Sequence, residues 1–187
     1  MKKVMLLLVA AMLATFGSPA GATTISFTAP GVVSGPFDVL VQAQDLFAGG
    51  PNVLTAFGFN VSVSDPSILS YVGATSGPLF DTASSAPGTD VFAAASGFGI
   101  EPGTPEPLLL ATLHFNVIGT GAANIFITSD LNNVFQGLQF IDAPFAESIA
   151  GTVPVTAAAA TAVPEPATLL LSGIGLLGLA TLRRIRR

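Results

Sequence analysis

The segment TAFGFNVSVS, residues 55–64, alternates strictly, with Phe57, Phe59, Val61 and Val63 on one side and Ala56, Gly58, Asn60 and Ser62 on the other. A period of two belongs to a half-buried β-strand, whose successive side chains leave the pleat on opposite faces. LLLATLHFNVI, residues 108–118, repeats the pattern, setting Leu109, Ala111, Leu113, Phe115 and Val117 against Leu110, Thr112, His114 and Asn116. Shorter apolar or alternating runs are TISFTA, FDVLVQA, ILSYVGAT, VFAAASGFGI, ANIFIT, LQFI and AGTVPV, parted by the turn groups DPS, GTG, EPGTPEP and DLNN. These stretches predict about nine strands and no helix, hence an all-β, two-sheet sandwich over residues 23–155.

Both ends depart from this pattern. Met1, Lys2 and Lys3 form a short positive region, residues 4–16 an apolar run, and Ala20, Gly21 and Ala22 a small-residue site. That layout is a secretory signal peptide over residues 1–22, cut between Ala22 and Thr23 with Ala20 supplying the second small side chain. The apolar run is shorter than the roughly 20 residues a spanning helix needs. At the other end, residues 156–163 read as an Ala/Thr linker. Residues 167–182 are uncharged and would reach roughly 24 Å as a helix at about 1.5 Å per residue. With flanking arginines snorkelling, that suits a single transmembrane helix. Pro164 and Pro166 resist helix ahead of it. Arg183, Arg184, Arg186 and Arg187 follow and belong on the cytoplasmic side of the membrane.

The order of a proline motif, one apolar span and a terminal arginine cluster resembles the PEP-CTERM sorting signal of Gram-negative bacteria. The matching residues are Val163, Pro164, Glu165 and Pro166, then residues 167–182, then the basic tail 183–187. The resemblance implies recognition by an exosortase, a membrane-embedded transpeptidase that removes the span and passes the protein to the cell surface or to extracellular polymer. GIGLLG, residues 173–178, fits a dinucleotide fingerprint in letters only. It lies inside the apolar span without the strand, soluble helix and later acidic residue that give the fingerprint meaning, and close packing of a membrane helix accounts for its glycines.

FGFNVSVSDPSILSYVGAT and LLATLHFNVIGTGAANIFIT resemble the paired strand and turn signatures of cohesin-like domains, over roughly residues 37–128. The resemblance implies a jelly-roll sandwich of nine strands; a generic immunoglobulin-like sandwich is the alternative. Dockerin binding does not transfer with the shape, since fold does not fix function.

Charge narrows the chemistry. Between Thr23 and Val163 stand Asp38, Asp45, Asp65, Asp81, Asp90, Glu101, Glu106, Asp130, Asp142 and Glu147, with no Lys or Arg, a net charge of about −10. Such a surface repels nucleic acid. The chain has no Cys and one His, so a thiol nucleophile, a Schiff-base lysine, a His-rich metal site and an arginine clamp are all missing from this region. His114 reads as a surface or half-buried strand residue without a Ser nucleophile motif beside it. Glycoside hydrolysis by paired acids finds isolated carboxylates in turns, a single Tyr and no Trp to stack on sugar. Asp130, Asn132 and Asn133 in TSDLNN offer hard oxygens to calcium, but their loop lacks the spacing and closing Glu of an EF-hand, and an Asx-type turn is the ordinary reading. Asn60, Val61 and Ser62 form a glycosylation triplet that reads as ordinary strand.

The sequence therefore predicts an exported, non-catalytic surface or extracellular-matrix protein without a cofactor or metal. Its partners would be signal peptidase, the inner membrane before processing, an exosortase and an exopolysaccharide. The alternative is a cohesin-like binding module for a protein or polysaccharide, with calcium as the assisting ion. The leader makes a direct prediction. N-terminal sequencing of the exported protein should begin at Thr23, and a mature chain that still carries residues 1–22 would overturn the reading.

Overall fold

A computed structural model describes residues 23–48, 53–141 and 146–159. The signal peptide, the sorting motif, the transmembrane helix of residues 167–182 and the four arginines all lie outside the described residues. No helix among the described residues is long and apolar enough to cross a membrane.

The described residues form eleven strands and no helix: β1 (Thr24–Thr28), β2 (Val32–Val33), β3 (Phe37–Gln44), β4 (Leu54–Val63), β5 (Leu69–Ser76), β6 (Ser84–Ala86), β7 (Thr89–Ala94), β8 (Leu108–Val117), β9 (Gly121–Thr128), β10 (Gly137–Phe140) and β11 (Gly151–Ala157). One sheet has the order β1-β3-β8-β5; the other runs β2-β11-β9-β4-β7-β6, with β10 also paired to β4. All pairings are antiparallel except β2 with β11. The all-β sandwich and the nine expected strands are present. The two additional strands, β2 and β6, have two and three residues, too short to show a period.

The core lies between the sheets and follows from the alternation. Val39 and Val41 of β3, Leu113 and Phe115 of β8, Phe57 and Phe59 of β4, and Ile125 and Ile127 of β9 are fully or almost fully buried. Each such side chain contributes roughly 1.5–3 kcal/mol through removal from water. Phe115 stacks on Phe37 and meets Tyr71, both at 5.5 Å between ring centres, so one aromatic row ties β3, β8 and β5 together.

Three local expectations are corrected. In β8, Leu109 is half-exposed while Leu108 and Leu110 are buried. The register against β3 steps from Val41↔Ala111 to Gln42↔Leu109, so Leu110 is a bulge residue and the faces exchange behind it. Three consecutive leucines carry no phase that could reveal this. In VFAAASGFGI, β7 stops at Ala94, and residues 95–100 continue only through bridges at Ala95 and Ile100. Gly97 and Gly99, with φ of 72° and 105°, turn the backbone out of the strand and leave Phe98 in solvent. The expected linker also begins later in the ladder: Thr156 and Ala157 are part of β11, paired to both β9 and β2.

The outer face of β4 is only half exposed, because residues 129–136 cross it. Asn133 donates from Nδ2 to the Pro87 carbonyl at 2.9 Å, and buried Gln136 donates from Nε2 to the Gly88 carbonyl, stitching the crossing segment to the turn between β6 and β7. The Phe135 carbonyl then lies so close to Gly58 that a Cβ there would overlap its oxygen. A backbone obstacle cannot rotate away. Gly58→Ala should cost about 1–3 kcal/mol by overpacking, lowering the urea midpoint, whereas Gly31→Ala, at a position with open space, should stay within about 0.5 kcal/mol of the parent. Equal midpoints for the two variants would show that the crossing segment does not seal this face.

Candidate functional site

The carboxylates are held by backbone and hydroxyl donors. Glu106 accepts from the N–H groups of Asp45 at 2.6 Å and Leu46 at 3.0 Å, pinning EPGTPEP to the turn after β3, where Asp45 has a φ of 58°. Asp90 accepts from the Val61 N–H at 2.8 Å. Asp65 accepts from the Ser67 hydroxyl and N–H, which hold its carboxyl below the ordinary range, the hydroxyl contributing most.

The TSDLNN loop closes on itself. Asp130 Oδ1 accepts from the N–H and the side-chain amide of Asn132 at 2.9 and 2.8 Å, and Asn133 Oδ1 accepts from the Phe135 N–H at 3.0 Å. These are Asx-turn contacts. Among the described residues there is no cluster of three or more His, Asp or Glu side chains able to hold a metal ion. Asn60 of the glycosylation triplet is half-buried on β4 and accepts from the Asp90 N–H at 3.1 Å.

His114 has partners that sequence spacing did not reveal. Asp38 is its cross-strand neighbour on β3, and Thr75 stands on β5 at its other side. Nδ1 lies 2.7 Å from Asp38 Oδ1 and Nε2 lies 2.8 Å from the Thr75 hydroxyl. With the neutral ring protonated on Nδ1, the imidazole donates to the carboxylate and accepts from the hydroxyl. Hydroxyl, imidazole and carboxylate in this order are the parts of a base-assisted nucleophile. The setting is an open sheet face, with the His114 and Asp38 side chains 39% and 57% exposed. Fixed dipoles act most strongly where water is excluded, so this row has the order of a triad without the enclosure that gives one its power. The three residues are 37 and 39 positions apart in the chain, and only the register β3-β8-β5 brings them together.

A second feature lies where the edge of β5 faces β6 and β7. Tyr71, Ala74, Ser84, Ser85 and Asp90 line an open cleft of about 260 Å³. Tyr71 is half-buried, and its phenol is pushed up to about 12, first by burial and second by the negative charge of Asp90. Phenol, hydroxyls and carboxylate make this cleft a polar recess. It had no sequence signal, since its residues come from three separate strands.

Tyr71 is the only tyrosine in the chain, so its titration can be read directly. Below pH 10 the folded and unfolded chains both keep the phenolic proton; between 10 and about 12 the unfolded chain loses it first. Stability linked to Tyr71 is therefore full below pH 10 and lost as the pH rises through about 12. Absorbance titration should give a midpoint near 12 in the native protein and near 10 in denaturant, and Asp90→Asn should lower the native midpoint only in part. Identical native and denatured midpoints would show that the phenol is not shielded.

Of the residues assigned to processing, Thr23 stands one position before β1, whereas Ala20, Ala22, Val163, Pro164, Glu165, Pro166, Arg183, Arg184, Arg186 and Arg187 lie outside the described residues. Comparison with known proteins bears on both parts of the chain. Residues 162–187 match the family model described as the PEP-CTERM protein-sorting motif. A cohesin module from a family 33 glycoside hydrolase of Clostridium perfringens superposes with a TM-score of 0.54 at 14% identity, covering 75% of this chain and 98% of that one. A non-cellulosomal cohesin from the archaeon Archaeoglobus fulgidus aligns at 17% identity over 73% of this chain and 93% of its own, with a TM-score of 0.39. No curated protein sequence matches the chain. The sorting motif is the mark of a protein exported in Gram-negative bacteria, anchored transiently in the membrane and recognised by an exosortase. Residues 162–187 thus carry a PEP-CTERM protein-sorting motif, behind a domain with a cohesin-like fold.

Proposed function

We propose that this chain is a non-catalytic component of the cell surface or extracellular matrix, delivered by an exosortase-type transpeptidase and associated with exopolysaccharide. The observation that carries the reading is the tripartite tail, matched over residues 162–187, directly behind a sandwich domain. In this reading residues 1–22 are removed by signal peptidase, residues 23–155 form the body of the ectodomain, and residues 156–163 lead to the motif at residues 164–166. Residues 167–182 then span the membrane, with the basic tail inside. An acidic domain of about −10 without Lys or Arg suits a hydrated polymer, where self-repulsion keeps copies apart.

The cohesin-like shape favours a second reading, a binding module for a protein or polysaccharide partner. The polar cleft beside Tyr71 and Asp90 supports it as a place for a small polar group of that partner. Calcium assistance has weaker support, because the Asp130 and Asn133 oxygens are engaged within their own loop. Capture of the chain by the producing strain's own polymer fraction, set against capture by a protein from it, distinguishes the two readings.

The motif and the arginines do different work, so their loss should look different. Replacing Pro164, Glu165 and Pro166 together by Ala leaves the apolar span and its cationic tail intact. Export should continue, with the protein accumulating in the inner membrane. Replacing the four arginines removes charges that each resist crossing hydrocarbon by about 2.5–3.5 kcal/mol, and should weaken retention and orientation instead. Fractionation and mass analysis of the released form decide the matter. Normal release after loss of the motif, or released protein still carrying residues 169–187, would leave a plain membrane anchor in place of a sorting signal.

A further inference from the structure

One side of the sandwich is not sealed along its whole length. β5 ends one sheet and β6 ends the other, and no further strand of the described residues pairs with either. At one point the chain itself bridges the two sheets. Residues 77–81 run from β5 across to β7, where the Asp81 N–H donates to the Ala94 carbonyl at 2.8 Å and the Ser96 N–H to the Leu79 carbonyl at 3.0 Å. From this bridge Phe80 buries its ring edge-on to Phe57, with 4.7 Å between ring centres. Past the bridge the two edges part, and the cleft of about 260 Å³ lies between them.

The polar groups of the cleft are not consumed by the fold. Asp90 uses Oδ2 to accept from the Val61 N–H at 2.8 Å, while Oδ1 has no partner among the described residues. The Tyr71 phenol is near enough for the charge of Asp90 to help push it up to about 12, yet no hydrogen bond joins the two. It therefore keeps its proton, and acts as a donor, throughout the physiological range. Ser84 and Ser85 stand exposed on β6, with no hydrogen bond from either hydroxyl to another of the described residues. Ala74 and Ala83, packed against the core, give the same cleft an apolar wall.

Donors and acceptors decide what such a set can recognise. Three hydroxyl protons and one unengaged carboxylate oxygen line the cleft, so a matching ligand must both accept and donate hydrogen bonds. An ammonium group accepts none. An ionised carboxylate or sulfate donates none, and it meets Asp90 with no Lys or Arg between residues 4 and 182 to offset the repulsion. Calcium takes about 6–8 oxygens, with carboxylates prominent among them, and the cleft offers a single carboxylate. Neighbouring neutral hydroxyls on a ring donate and accept together, and the C–H face of that ring matches an alanine wall. The volume lies below the roughly 300–1,000 Å³ of sites for drug-sized ligands, which suits one ring.

Resting on the reading of the chain as a binding module for a polysaccharide, we infer that this cleft seats one uncharged sugar ring of that polymer. Asp90 Oδ1 accepts from one ring hydroxyl, and the Tyr71 phenol donates to its neighbour. Ser84 and Ser85 contribute at the rim, and Ala74 and Ala83 lie under the C–H face. The open side lets the rest of the polymer continue outside the protein.

Tyr71 is the only tyrosine and the chain has no tryptophan, so intrinsic emission reports the cleft directly. The full chain, in micelles of a detergent without a sugar headgroup, is titrated with the methyl glycosides of glucose, galactose and mannose, with glucosamine and with glucuronate. At least one neutral glycoside should change the emission saturably, and should bind at least about tenfold more tightly than either charged sugar. Asp90→Asn keeps an oxygen for the Val61 N–H but should weaken that binding about tenfold, by loss of a charged acceptor. Tyr71→Phe, followed by saturation transfer to the sugar protons, should weaken it about threefold or more while leaving the urea midpoint unchanged, since the phenol gives up no bond within the fold. Co-sedimentation of the parent and both variants with the producing strain's polymer fraction tells the cleft from the module. Polymer held equally by all three, or polymer held by a chain whose emission no glycoside moves, overturns the cleft alone; a chain that holds neither polymer nor glycoside overturns the module with it. Tighter binding of glucosamine or glucuronate than of every neutral glycoside overturns the uncharged ring.

Discussion

The fold depends on the phase relation between two long strands. β4 and β8, each of ten residues, lie in the interior of opposite sheets, and their inward side chains form the centre of the core. A slip of one residue in either would send Phe57 and Phe59, or Leu113 and Phe115, into solvent. Without a disulfide to hold the alternatives apart, burial in the correct phase selects the structure. The bulge at Leu110 is part of this constraint. It lets Ala111, Leu113 and Phe115 keep their phase at one end of β8 while Leu108 and Leu110 fill the core at the other.

This explains what could be read from the sequence and what could not. Phe57, Phe59 and Val61 announce a strand and its buried face because they record a local periodicity. The sorting tail is legible for a similar reason: motif, span and cations stand in linear order. Leu109 faces the side opposite to the one its alternation predicts because a bulge depends on the neighbouring strand's register, which three leucines do not encode. Gly58 looked like a residue of a solvent face; its cover arrives from residues 129–136 and is fastened by Asn133 and Gln136 to a turn more than 40 residues away. Thr75, His114 and Asp38 meet for the same kind of reason, across two strand pairings. Local alternation writes strands into a sequence, but contacts between strands are written only in the order of the sheet.

Charge is managed in an unusual way in consequence. With neither Lys nor Arg between residues 4 and 182, the carboxylates of the described residues meet no Lys or Arg, and the one basic side chain beside them is His114, next to Asp38. Glu106, Asp90 and Asp65 satisfy backbone N–H groups instead, each fixing a turn or strand junction. A charge-assisted hydrogen bond to backbone is stronger than a neutral one and needs no second long side chain to be ordered. The domain can thus be strongly acidic while its acidic groups still stabilise particular turns.

The positions of the two chain ends put these properties in order. β1 begins at Thr24, paired with Gln44 at the end opposite to Ala157, so the chain enters and leaves the sandwich at opposite ends. If the leader is cut after Ala22, one residue separates the cut from β1, against nine residues between Ala157 and the apolar stretch. A leader still in the membrane would hold the entry end at the bilayer, and the finished sandwich, roughly 33 Å between ends, would leave the tail hardly any slack. Ile25 and Phe27 pack against the core, so β1 cannot peel away to relieve the conflict without exposing them. On this geometry, a leader and a tail span held in one membrane together would draw opposite ends of the finished sandwich toward the same surface, so the fold and two simultaneous anchors would be in conflict.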